Sequence, residues 1–151
     1  MVQITFMNIR TIQEQDAAAV FAFGNKVLAH HNGFDTFYKV VEASNLKQSE
    51  SEKIGFIAFE NEMPIGYVIG IYIQSPADRS VPFAILQSVW VEEFARGRGV
   101  AQQLVAEFEK NVKEKGAKQI DLNVDIRNVS GLQLWDAGGY ETYQERRRKF
   151  L

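Results

Sequence analysis

The stretch VWVEEFARGRGVAQQLVAEF, residues 89 to 108, constrains the fold more than any other part of the chain. It opens on an apolar run of β-branched and aromatic residues. Two glycines alternating with two arginines follow, and then Val100, Leu104, Phe108 and Val112 recur every four residues up to Gly116. That pattern is a strand, a tight glycine turn and an amphipathic helix. A helix start exposes backbone N–H groups that lack partners and carries the positive end of the helix dipole. Gly97 and Gly99 keep bulk away from it, and Arg96 and Arg98 add charge. The turn can therefore serve as a plain strand-to-helix connection or as a cradle for a phosphate-bearing molecule. It matches neither the three-glycine dinucleotide pattern nor the lysine-containing P-loop.

Elements assigned around this stretch give an α+β (α/β) chain in one domain spanning residues 1 to 151. The 46% hydrophobic content of these 151 residues suits one core of that size. Val2–Ile9 reads as a strand. Asp16 then caps a helix carrying Ala19, Val20, Phe23, Val27 and Leu28, and a second helix is predicted from Phe34 to Leu46, followed by a loop over Lys47–Lys53. IGFIAFE and PIGYVIGIYI form a hairpin around ENEM. PFAILQSVWV is a central strand covered on both faces, with Phe83, Ile85, Gln87, Val89 and Val91 alternating against Ala84, Leu86, Ser88 and Trp90. Ile120–Ile126 alternates as a further strand, Val129–Ala137 is a short helix ending at Gly138 and Gly139, and Tyr140–Leu151 is predicted to be a last strand.

Composition excludes several kinds of chemistry. The chain has 0 cysteines and 2 histidines, His30 and His31, so no disulfide, thiolate nucleophile or metal centre is expected. A formal charge of −2 gives no global attraction to nucleic acid, and the run Arg146, Arg147, Arg148, Lys149 reads as a solvated face. No apolar stretch is long enough to span a bilayer, and no basic segment followed by an apolar block opens the chain. No membrane partner is expected, and the expected location is the cytoplasm.

Arg96, Gly97, Arg98, Gly99, Val100 and Ala101 match the pattern Gln/Arg, two residues, Gly, one residue, Gly/Ala. In this the chain resembles the GCN5-related N-acetyltransferases. The resemblance extends to Val89 and Val91 at the end of the central strand, to Asn128 after the next one, and to Leu134, Gly139 and Tyr140 near the closing element. It implies a mixed central sheet of six or seven strands with about four helices on both faces, and two central strands that splay apart. It also implies acetyl-CoA as cosubstrate, with no metal, and transfer of the acetyl group to a primary amine of a small molecule or peptide. The pantetheine arm would lie in the gap against the backbone of Val89, Trp90 and Val91. The amides of Arg96 to Ala101 would hold the pyrophosphate, and Asn128 would touch the arm. As a helix N-cap Asn128 has a second reading that can coexist with this one.

The catalytic groups are less legible. The family commonly places a tyrosine acid where this chain has Trp135, which reads as a packing aromatic against the cofactor. No carboxylate stands at Ile85, Gln87 or Asn123, where relatives often carry a base, and Glu92 acting through a water is the candidate. The acceptor is expected near His30, His31, Asp35 and Tyr38. A homodimer is compatible with this reading. The alternative is a non-catalytic acyl-CoA-binding or regulatory module on the same fold, which Trp135 favours.

Overall fold

A computed structural model describes residues 7–32, 51–74 and 81–151. Its five strands form one sheet in the order β1 (Met7–Thr11), β2 (Ser51–Glu60), β3 (Met63–Ile73), β4 (Phe83–Val91), β5 (Ile120–Asp121). The first four are antiparallel neighbours, and β5 is parallel to β4. Three helices, α1 (Ala17–Asn32), α2 (Val100–Lys115) and α3 (Val129–Ala137), complete the described elements. Five strands and three helices thus stand where six or seven strands and four helices were expected. The expected helix Phe34–Leu46 and the first residues of the expected strand Val2–Ile9 lie outside the described residues.

The two helices after β1 and β4 cover opposite faces of the sheet. Val100, Leu104, Val105, Phe108 and Val112 of α2 pack with Ile54, Phe56, Ala58, Val68, Tyr72, Ala84 and Leu86 in the main core. On the other face Phe23 of α1 packs with Ile57 and Tyr67, its ring 5.6 Å from the tyrosine ring. The four-residue apolar repeat of α2 is therefore its buried stripe. Phe108 and Leu104 are fully buried, each contributing on the order of 2 kcal/mol of apolar transfer. The approach of α2 to the sheet is close at Gly70, where a Cβ would come within 2.4 Å of the Ile85 carbonyl oxygen and 2.5 Å of the Phe108 ring.

The expected hairpin at ENEM is present. Asn61 and Glu62 both have positive φ, 48° and 68°, as a two-residue turn matched to strand twist requires. β2 begins at Ser51, inside the stretch expected to be loop, because Ser51 to Lys53 pair with Ile73 to Ile71. Asp16 does not cap α1 as expected. Its carboxylate accepts from the Gln13 backbone N–H at 2.7 Å and is gripped by Arg10 at 2.6 and 2.9 Å, closing the short 3₁₀ turn that precedes the helix. The Arg10 hydrogen bonds hold this carboxyl below its ordinary range, more than the opposing effect of burial raises it.

Three expectations about strands fail, one through a bulge and two through missing ladders. The register of β3 against β4 slips between Ile69–Ser88 and Gly70–Leu86, which leaves Gln87 as an extra residue in β4. Side-chain parity flips there, so Ala84, Leu86, Val89 and Val91 face α2 while Ser88 and Trp90 face α1. The single alternation expected for this strand does not run through it. β5 pairs with β4 only at Ala84–Ile120 and Ile85–Asp121, so the strand expected over Ile120–Ile126 stops after two residues. The segment expected as a last strand, Tyr140–Leu151, forms no ladder with the described residues.

Candidate functional site

Among the described residues no strand pairs with β4 on the β5 side beyond Ile85, and the ladder phase determines which groups point to that side. Glu92 N–H donates to the Ile65 carbonyl at 2.7 Å. Counting back along an antiparallel ladder, Trp90 and Ser88 turn their backbone groups toward β3. Val89 and Val91 turn N–H and C=O away from β3, into the space that β5 has left. Their side chains meanwhile pack against the α2-side core, so core packing and an outward-facing backbone coexist at both positions.

The opening leads to the start of α2. Gly97 and Gly99 adopt φ of 75° and 79°, the left-handed region that a residue with a Cβ enters at a cost. A Cβ built on either would meet nothing within 4 Å, so the space above both glycines is clear. Gly99 is the N-cap of α2, with no side-chain cap and no acidic residue in the first turn. The Gln103 N–H bonds back to the Gly99 carbonyl at 3.1 Å. The N–H groups of Val100, Ala101 and Gln102 come earlier in the helix, where no intrahelical acceptor exists. A bare helix start, a clear approach and a split sheet edge therefore adjoin one another.

The flanking arginines, expected to add charge at the turn, also make contacts within the protein. Arg98 pairs with Glu60 at 2.8 Å, tying the glycine turn to the β2–β3 hairpin. Arg96 donates from Nε to the Val91 carbonyl at 2.9 Å and lies over the Trp90 ring, 4.7 Å from its centroid. Both guanidinium groups are thus engaged within the protein, while the first amides of α2 have no intrahelical acceptor.

On the α1 side of β4 lies a second group of residues. Glu92 Oε1 accepts from Lys26 Nζ at 2.6 Å and from Trp90 Nε1 at 3.3 Å. His30 sits against the edge of the Trp90 ring at 6.3 Å, and beneath them the Tyr67 and Ser88 hydroxyls lie 2.7 Å apart. Burial pushes the Tyr67 hydroxyl up from its ordinary range. Glu92 is therefore a hydrogen-bonded acceptor at the centre of a network. Lys26, Tyr67 and Ser88 were not singled out from the sequence. Ser88 faces this side because of the parity flip at Gln87, which no spacing in the sequence signals. The side chains of His31, Asp35 and Tyr38 lie outside the described residues.

Two expected site residues sit apart from this group. Asn128 caps α3, its side chain accepting from the Gly131 N–H at 3.2 Å. Trp135, in the last turn of α3, packs on the α2-side core with its ring 5.3 Å from Tyr140 and edge-on to it. The Tyr140 hydroxyl donates to Glu109 at 2.9 Å, and burial with this bond to a carboxylate raises its pKa far above the ordinary value. No group of three or more metal-ligating side chains occurs among the described residues.

Residues 25–140 match the family model described as the acetyltransferase (GNAT) family. The chain belongs to the GNAT family of acetyltransferases. No curated protein matches it at a significant level, but solved GNAT-like structures do. The aminoglycoside N-acetyltransferase AAC(6′)-Iy in complex with CoA is 18% identical, with a TM-score of 0.76 over 100% of this chain and 98% of that one. A mutant BH1408 protein from Bacillus halodurans gives 0.79 at 18% identity, over 95% and 99% of the two chains. An aminoglycoside acetyltransferase from an uncultured soil metagenomic sample, in complex with sisomicin, gives 0.67 at 15% identity over 97% and 95%. At such identities these likenesses establish the GNAT fold.

Proposed function

We propose that this GNAT protein is an acetyl-CoA-dependent N-acetyltransferase that moves the acetyl group to a primary amine of a small molecule or peptide by direct attack in a ternary complex. The observation that carries the proposal is the continuity between the outward-facing backbone of Val89 and Val91 and the uncapped, unobstructed start of α2. A ligand with amides along its length and phosphates at one end fits both halves. The pantetheine arm adds to the β4 edge as a short strand would, and the pyrophosphate meets the N–H groups of Gly97 to Ala101. For the arm to bond at Val91, Arg96 has to release the Val91 carbonyl, which frees its guanidinium for phosphate. Asn128 contributes as cap of α3 and as a contact of the arm, and Trp135 packs beside it. The CoA complex of AAC(6′)-Iy and the sisomicin complex of the metagenomic enzyme support a CoA thioester and a small-molecule amine as the two substrates.

The chemistry asks little of the side chains. The amine, neutral, forms a C–N bond to the thioester carbonyl carbon, and the resulting oxyanion takes a hydrogen bond from the Val91 N–H. The C–S bond then breaks, and the thiolate leaves without a dedicated acid, since an ordinary thiol has a pKa near ~8.5. The amine proton passes through a water to Glu92. The Lys26 Nζ bond to Oε1, at 2.6 Å, supports Glu92 as a nitrogen-binding acceptor at this place. Holding amine and thioester at reaction distance supplies much of the rate.

The test is thiol release from acetyl-CoA across a panel of amines, polyamines, amino acids and peptides. Amine-dependent release with formation of the acetylated amine is expected. Tight acetyl-CoA binding without turnover on any amine would instead favour the non-catalytic reading, to which the lack of a tyrosine at position 135 also points.

A further inference from the structure

The Trp90 side chain links the proposed cofactor edge to the network on the α1 side. Its indole is half-buried, and the Arg96 guanidinium lies over its face, 4.7 Å from the centroid. At the rim of the ring Nε1–H donates to Glu92 Oε1 at 3.3 Å, and the same oxygen accepts from Lys26 Nζ at 2.6 Å. An indole face attracts cations through its quadrupole, and a carboxylate at the rim adds to that attraction. Two cations of the chain itself, a guanidinium and an ammonium, already sit on this aromatic–carboxylate pair.

Neither cation is anchored there by burial. Arg96 is exposed, and the Lys26 side chain is 48% exposed. Arg96 is held over the indole by its Nε bond to the Val91 carbonyl at 2.9 Å. Under the proposed function that carbonyl is the group the pantetheine arm takes, so the Arg96 bond and the loaded cofactor exclude one another. When the arm displaces it and the guanidinium turns to the phosphates, the Trp90 face loses its cation.

We infer that in the CoA-loaded protein the Trp90 face, with the Glu92 carboxylate at its rim, binds a positively charged group of the acceptor remote from the amine that reacts. Trp90 is then a specificity-determining residue, and the acceptors it selects are diamines and other polycationic amines rather than amines with a neutral tail. The inference rests on the proposed function, because the cofactor is what uncovers the face. It concerns the indole alone and is separate from the backbone at this position, which pairs toward β3.

The chain has 2 tryptophans, so NMR of the indole N–H groups follows Trp90 directly, its signal being the one that Trp90→Phe removes. CoA should shift that signal, and 1,4-diaminobutane should shift it again only when CoA is present, whereas 4-aminobutan-1-ol at the same concentration should not. In turnover with acetyl-CoA the diamine should have the lower KM. Trp90→Leu should raise the KM of the diamine relative to that of the amino alcohol by about two- to thirtyfold, the span of one cation on an indole face. Trp90→Phe keeps an aromatic face and should keep most of the preference. Loss of a merely structural tryptophan would move both acceptors together and leave their ratio unchanged. CoA binding that leaves the Trp90 signal still, a diamine shift that needs no CoA, or a diamine preference that survives Trp90→Leu overturns the inference and leaves acetyl transfer standing. No CoA binding at all removes the proposed function and the inference with it.

Discussion

Replacing Gly99 by glutamate separates the fold from the proposed site, because the two respond with different sizes and signs. In the folded chain residue 99 has φ of 79° with no atom within 4 Å of a new Cβ, so the cost to stability is backbone strain alone, about 1–2 kcal/mol. A carboxylate at the start of α2 returns about 0.3–1 kcal/mol through the helix dipole. The net loss lies between nothing and about 2 kcal/mol, or at most about 8 °C in Tm for a domain of this size. CoA at a hundred times its Kd should stabilise the wild type by about 2.7 kcal/mol, raising Tm by about 5–11 °C. In Gly99→Glu that rise should vanish, since the carboxylate occupies and repels the phosphate path. Differential scanning fluorimetry of both proteins with and without CoA measures all four values. Gly99→Ala carries the strain without the charge and should keep part of the rise. A Gly99→Glu protein that folds and keeps the full CoA-dependent rise would refute the placement of the phosphates.

Three further outcomes follow from particular contacts. Trp135→Phe should keep activity within about tenfold, because the indole packs on the core and Tyr140 rather than moving protons, and a loss beyond about a hundredfold with CoA binding intact would make it part of the chemistry. Gly70→Ala should destabilise by about 1–3 kcal/mol in urea titrations, since its Cβ would overlap the Ile85 carbonyl and the Phe108 ring; a neutral result would mean that α2 sits further from the sheet. Asp16→Asn should lower stability near neutral pH, and the gap to wild type should close as pH falls through the depressed Asp16 pKa. A carboxylate held below its unfolded pKa stabilises only above that range, so a gap that widens in acid would contradict the Arg10 clamp.

Much of this architecture is legible in the residues themselves because its signals are local. The buried stripe Val100, Leu104, Phe108, Val112, the stop at Gly116 and the turn at Asn61 and Glu62 each follow from the spacing or chemistry of a few neighbours. The left-handed glycines of the candidate site are legible for the same reason. What eludes a reading along the chain depends on contacts between distant segments. The alternation of Ile120 to Ile126 is genuine, yet a strand needs a neighbour, and the pairing of β5 with β4 stops at Asp121. The extra residue Gln87 reverses which side chains face α1, and so places Ser88 and Trp90 with Tyr67, Lys26 and Glu92. Nothing in the order of residues 82 to 91 announces that slip. Arg96 and Arg98 bring charge to the turn in the sequence, and folding alone shows that Glu60, Trp90 and the Val91 carbonyl engage them.

The central claim is that the open β4 edge and the bare start of α2 together hold one CoA molecule. Backbone amide NMR of the wild-type protein titrated with CoA tests it residue by residue. The account predicts that Val89, Val91 and Gly97 to Ala101 show the largest shifts and saturate together at one equivalent, while amides of β1 and β2 stay still. CoA binding that leaves the Val89 and Val91 amides unmoved, or no binding at millimolar CoA, would contradict it.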